Sequence, residues 1–156
     1  MKRWAWLPLF AAGLLGVAAP AAAQPASGSA AGTAGLTPGL AAAYSAAQLD
    51  AQANGVLLSI TSGYRTPEMQ EQLWQQGLAT YGSPEATRPW VLPPGESTHV
   101  RGEAIDVGPQ NGAAWLEANG SRYGLCRTFA NEWWHFELAT VPGGVCPEML
   151  PDASWR

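Results

Sequence analysis

His99 and His135 are the only histidines of the chain, and each stands among acids: the first in STHVRGEAIDV, the second in NEWWHFEL. A hydrolytic metal centre takes neutral imidazole and carboxylate from its protein and keeps one coordination position open. A lone histidine says little, because most are satisfied core or surface groups. Here both imidazoles lie beside a carboxylate, and the combination points to metal ligation. Ser97, His99, Gly102, Ala104 and Asp106 fit SxHxxGxAxD, and Glu132 with His135 fits ExxH. Small residues at 102 and 104 let the chain fold back closely enough for His99 and Asp106 to reach one ion. The alternative for Asp106 is a cap on the GPQNG turn that follows it.

Elements must hold these groups in place. Residues 104–107 read as a short strand that sends Ala104 and Asp106 to one face and Ile105 and Val107 to the other. Residues 132–138 alternate, with Trp134, Phe136 and Leu138 expected on the core side and Trp133, His135 and Glu137 opposite. A fully extended strand would put Glu132 and His135 on opposite faces, so Glu132 is expected where the strand begins or bends. Its alternative is an ion pair with Arg127, and Glu137 is the competing carboxylate on the face of His135. Upstream, the run VLLSIT at 56–61 has the length and branching of a buried strand. SGYRTPEMQ then turns at Gly63 into a helix with Thr66 as N-cap and Pro67 at its first position. Arg65 occupies that corner, either as a guanidinium for substrate oxygens or as half of a surface ion pair.

The remaining segments read more simply. Leu40, Ala43, Tyr44, Ala47 and Ala51 share one helical face over residues 40–54, and Gly55 ends it. Residues 81–96, rich in proline and glycine, read as an ordered loop at the rim of a site. A shorter helix is expected over 113–118, ended by Asn119 and Gly120.

Lys2 and Arg3 precede an apolar run and then Ala21, Ala22 and Ala23, the pattern of an export signal over residues 1–23, with an uncleaved anchor as the alternative. The expected location is the periplasm or the cell wall and extracellular space. Residues 24–39 lack large apolar groups and read as a flexible Ala/Gly/Pro/Ser linker, leaving one domain at 40–156. Without the signal, six arginines face twelve acidic residues, a net charge near −6, which offers little to nucleic acid or an anionic membrane surface. A monomer is expected. Cys126 and Cys146, an even pair in an oxidising compartment, read as one disulfide that closes a loop around Glu132 and His135. Two free thiols or zinc ligation are the alternatives, the latter weakened by the absence of CxxC spacing.

SGYR at 62–65, SxHxxGxAxD and ExxH, in this order, resemble the zinc D-Ala-D-Ala carboxypeptidase family. These are the LAS metallopeptidases, which include vancomycin-resistance VanY-type D,D-carboxypeptidases and dipeptidases and share their fold with the sonic hedgehog signalling domain. The resemblance implies an α+β fold, a small antiparallel sheet with flanking helices and a zinc cleft on one face. It implies one Zn2+ per chain held by His99, Asp106 and His135, with Glu132 as general base. Arg65 would bind substrate and steady developing negative charge, and Ser97 would bind substrate or fix the loop ahead of His99. The implied reaction is hydrolysis of the terminal bond in peptidoglycan stem peptides ending in D-Ala-D-Ala. A D,D-dipeptidase, an endopeptidase and a non-catalytic zinc-binding wall module are the rivals. The loop ATRPWVLPPGE carries no motif that selects among substrates.

Overall fold

A computed structural model describes residues 32–156. The expected export signal and linker residues 24–31 lie outside the described residues. Four short strands form one antiparallel sheet in the order β1-β2-β4-β3, with β1 at Ser59–Ser62, β2 at Ala104–Gly108, β3 at Leu125–Arg127 and β4 at His135–Leu138. The α+β architecture implied by the motifs is the one found.

One face of the sheet carries the core. Leu40, Tyr44, Ala47 and Ala51 of α1 (Pro38–Ala53) and Ala113 and Leu116 of α4 (Gln110–Asn119) pack with Ile60, Ile105, Val107 and Phe136. Strand alternation then fixes the other face. The β2–β4 register pairs Ala104 with Glu137, Ile105 with Phe136 and Asp106 with His135, so that burying Ile105 and Phe136 turns the other two pairs the opposite way.

The helix α2 (Pro67–Tyr81) starts as its sequence predicts, with the Thr66 side chain accepting from Met69 N at 3.2 Å. The rim loop holds a further single turn, α3 (Pro84–Thr87), capped by Ser83. Two buried-side bonds pin this loop: Gln70 Nε2 donates to Leu92 O at 2.7 Å and Asn131 Nδ2 to Pro89 O at 2.9 Å. Arg88 pairs with Glu96 across its outer edge.

Several boundaries differ from the sequence reading. Structure begins before residue 40: Thr37 N donates to Gly102 O at 2.9 Å, and Pro38 takes the first helical position, where a missing N–H costs nothing. The packed region therefore includes residues 33–39 of the expected linker. β1 pairs only from Ser59, and Leu57 is 67 % exposed. α4 starts at Gln110, three residues early, because Pro109 O accepts Ala113 N and the weak helix formers Asn111 and Gly112 fall in the first turn.

The alternation expected from residue 132 holds only from His135, because His135 N donates back to Glu132 O and makes 132–134 a turn. Trp133 consequently packs against the core and Trp134 lines the cleft, the reverse of the expected parity. Leu138, expected in the core, is 44 % exposed. Cys126 and Cys146 form the expected disulfide, with Cα atoms 5.7 Å apart, tying the segment after β4 back to β3. Closing a loop of this length contributes about 3 kcal/mol.

Candidate metal centre and active site

Three side chains meet on the face of the sheet away from α1. Asp106 and His135 come from paired positions on β2 and β4, while His99 comes from a single 3₁₀ turn, Thr98–Arg101, beside them. That turn ends at Gly102 with φ 68°, and a Cβ there would lie 2.3 Å from Gly35 O. Glycine is required both for the left-handed conformation and for this close approach. His99 Nδ1 donates to Gly63 O at 2.8 Å, leaving Nε2 facing Asp106 Oδ1 at 3.3 Å. His135 Nδ1 lies 3.2 Å from the same oxygen. One ligand atom from each residue falls within 4.8 Å of the others, and all three residues are buried.

The SGYR segment builds the wall behind His99. Gly63 O fixes its tautomer, and Arg65 N donates to His99 O at 3.2 Å. Arg65 is neither a surface ion pair nor free in the cleft. Its Nε donates to Ser62 Oγ at 2.9 Å, one terminal nitrogen to Gln70 Oε1 at 3.2 Å and the other to Asp106 Oδ2 at 2.7 Å. Three of the five guanidinium donors are thus engaged, and two remain for the cleft that Arg65 lines. Ser97 is buried and lines the same cleft.

Glu132 sits in the turn before β4 with Oε2 3.6 Å from His135 Nδ1. Arg127 donates to the main-chain oxygens of Phe129, Ala130 and Glu132 and to Glu117, so the alternative pairing of Arg127 with the Glu132 carboxylate is not made. Asp106 likewise serves the histidines and does not cap the following helix. Glu137 lies behind His135, with Oε1 2.8 Å from Nε2 and accepting from Thr98 Oγ1 at 3.0 Å. Gln70, Thr98, Phe129 and Arg156 carry no signal in the sequence; Glu137 does, through its shared face with His135, and Trp134, expected in the core, lines the cleft instead.

Charge and burial divide these groups. Burial alone raises Asp106, but the adjoining His99 and His135 outweigh it and hold the carboxyl well below its ordinary range. Burial lowers His99 and keeps it neutral. Burial also opposes charge on His135, yet hydrogen bonds to Asp106 and Glu137 raise it to about 9. A cation that takes Nδ1 must therefore displace a proton. Glu132 moves the other way from Asp106: burial pushes it up to about 7. Two imidazoles and one carboxylate, buried, convergent and oriented by Gly63 and Glu137, fit Zn2+ with an open position.

Fold and site together define a small α+β protein with a His-Asp-His group able to hold a metal ion on the open face of an antiparallel sheet. Residues 33–139 match the family VanY: D-alanyl-D-alanine carboxypeptidase, and the chain belongs to that family. A D-alanyl-D-alanine carboxypeptidase of Enterococcus faecalis is 30% identical over 116 residues, which cover 58% of this chain and 43% of that protein. The chain therefore spans under half the length of that relative. Among solved structures, a variant of the vancomycin-resistance D,D-pentapeptidase VanY from a VanB-type cassette, in complex with Zn(II), superposes with a TM-score of 0.60 at 26% identity, covering 70% of this chain and 73% of that one. VanYB in complex with D-alanine-D-alanine gives a TM-score of 0.60 at 26% identity over 65% of this chain and 70% of the other.

Proposed function

We propose that the chain is an exported zinc D-alanyl-D-alanine carboxypeptidase that removes the terminal D-alanine from peptidoglycan stem peptides. The observation that carries this reading is the convergence of His99, Asp106 and His135 beside a buried Glu132, in a family described by that activity. Export to an oxidising compartment is supported by the leader-like N-terminus and the Cys126–Cys146 bridge.

Zn2+ bound by the trio supplies Lewis acidity toward the scissile carbonyl and lowers the pKa of the attacking water. The side chains do the rest. Glu132, its carboxyl raised by burial into the range that suits proton exchange near neutral pH, accepts the proton of the attacking water and returns it to the leaving D-alanine amine. The two free Arg65 donors hold substrate oxygens in the cleft and oppose the negative charge that develops there. Ser97 adds a hydroxyl on the same wall. Leu92, Phe129 and Ala153 form an apolar cluster at the cleft that shields these charges from water.

The test is the mass of products from a pentapeptide stem ending in D-Ala-D-Ala. Loss of one alanine supports the carboxypeptidase. A product shortened by two residues or cut internally assigns an endopeptidase, and cleavage of free D-Ala-D-Ala alone assigns a dipeptidase.

A further inference from the structure

Residues 140–156 lie beyond the stretch matched to the family, yet they return to the metal centre. The Cys126–Cys146 bridge fixes the start of this tail. Leu150 then pairs in parallel with Phe129: Leu150 N donates to Thr128 O at 2.9 Å, and Ala130 N to Leu150 O at 2.8 Å. A single turn at Ala153–Trp155, with Asp152 accepting from Ser154 N at 2.8 Å, delivers Arg156 behind β4.

There the Arg156 guanidinium donates to Glu137 Oε2 and stands 5.2 Å from the centroid of Phe129. Glu137 turns its other oxygen to His135 Nε2, and Phe129 itself lies 4.9 Å from the His135 ring. Glu137 is buried, and Arg156 is its one cationic partner besides His135 among the described residues. A buried carboxylate stripped of such a partner swings toward water. That movement weakens its hold on Nε2, and with it the aim of Nδ1 at the point shared with His99 and Asp106.

We infer that Arg156 is a positioning residue for the metal centre: by clamping Glu137 it holds His135 in the orientation in which Nδ1 faces a cation. This rests on the reading of His99, Asp106 and His135 as metal ligands. Thr98 Oγ1 donates to Oε1, the Glu137 oxygen that faces His135, so the arginine on Oε2 is the part of the clamp that comes from outside the sheet and the His99 turn.

The experiment is zinc affinity of the intact, disulfide-bonded protein, read by competition with a chromophoric chelator. Arg156→Ala is expected to weaken zinc by roughly tenfold or more, the usual cost of losing a group that orients a ligand. Arg156→Lys keeps the charge without the planar fork and is expected to recover part of that loss. In a Glu137→Gln background, Arg156→Ala is expected to cost much less, because its target is gone. Circular dichroism of the zinc-free variants checks that each is folded. Wild-type affinity in Arg156→Ala, or the same loss with and without Glu137, overturns the inference while leaving the ligand assignment intact. Wild-type protein that takes no zinc overturns both.

Discussion

Asp106 and His135 face each other across the β2–β4 ladder, with Asp106 Oδ1 3.2 Å from His135 Nδ1. Their separation is set by strand register. A slip of one residue would replace Asp106 with Ile105 or Val107 and bury the carboxylate among α1 and α4 side chains. The core face therefore enforces the geometry of the metal face. Only His99 comes from outside this ladder, and its position depends on Gly63 and Gly102.

The Glu132 account separates base from ligand. Glu132→Gln preserves size and removes the proton acceptor, so zinc content is expected to be unchanged while kcat falls by roughly 10²-fold or more. The ionised form is the active one. Burial raises this carboxyl to about 7, and a bound cation nearby pulls it back toward the ordinary value of 4.5. In zinc-loaded protein, kcat/KM is expected to fall as pH drops through a limb between those two values. A Glu132→Gln variant with wild-type turnover, or a rate that rises toward pH 4, contradicts the assignment.

Arg65 holds Asp106 and lines the cleft at once, so its loss has two consequences. Arg65→Ala is expected to lower kcat/KM for a D-Ala-D-Ala-terminated peptide by at least about a hundredfold, ~2.7 kcal/mol. Zinc affinity is expected to drop as well, because Asp106 Oδ2 loses its 2.7 Å partner. Arg65→Lys keeps the charge but cannot reach Ser62, Gln70 and Asp106 together, and should recover little. Steady-state kinetics with a zinc titration separate the two effects. Full activity in the alanine variant would make the arginine a scaffold residue only.

Much of the site and its frame is legible in the sequence. The helix start at Thr66–Pro67 depends on local capping chemistry, and the observed cap matches it. The faces of Ile105, Val107 and Phe136 follow from strand alternation, which is also local. Sequence pattern fails where long-range contacts override it. The turn closed by His135 N and Glu132 O reverses Trp133 and Trp134, and no periodicity in NEWWHFEL records it. The start of the packed region near residue 33 depends on Thr37 pairing with Gly102, about sixty-five positions away in the sequence. Arg156 reaches Glu137 only through the tail's pairing with Phe129, and carries no motif.

Gly102 tests how the His99 turn is held. Gly102→Ala places a non-glycine residue at φ 68° and its Cβ against Gly35 O. The conformation alone costs about 1–2 kcal/mol, and the contact adds to it. A clear fall in melting temperature is expected, together with weakened zinc, because relief of the contact shifts the turn that carries His99. Thermal melting with and without zinc reads both. A variant that melts and binds like wild type would show that Gly35 yields freely.

The most direct measurement is zinc per chain in purified wild-type protein and in His99→Ala, Asp106→Ala and His135→Ala, by elemental analysis after dialysis against metal-free buffer. The three ligand atoms lie within 4.8 Å of one another, and each contributes a share that the remaining two cannot replace. The result expected is about one zinc in the wild type and close to none in each variant, with folding retained by circular dichroism. Zinc content equal to wild type in all three variants would contradict the metal centre, and with it the proposed chemistry.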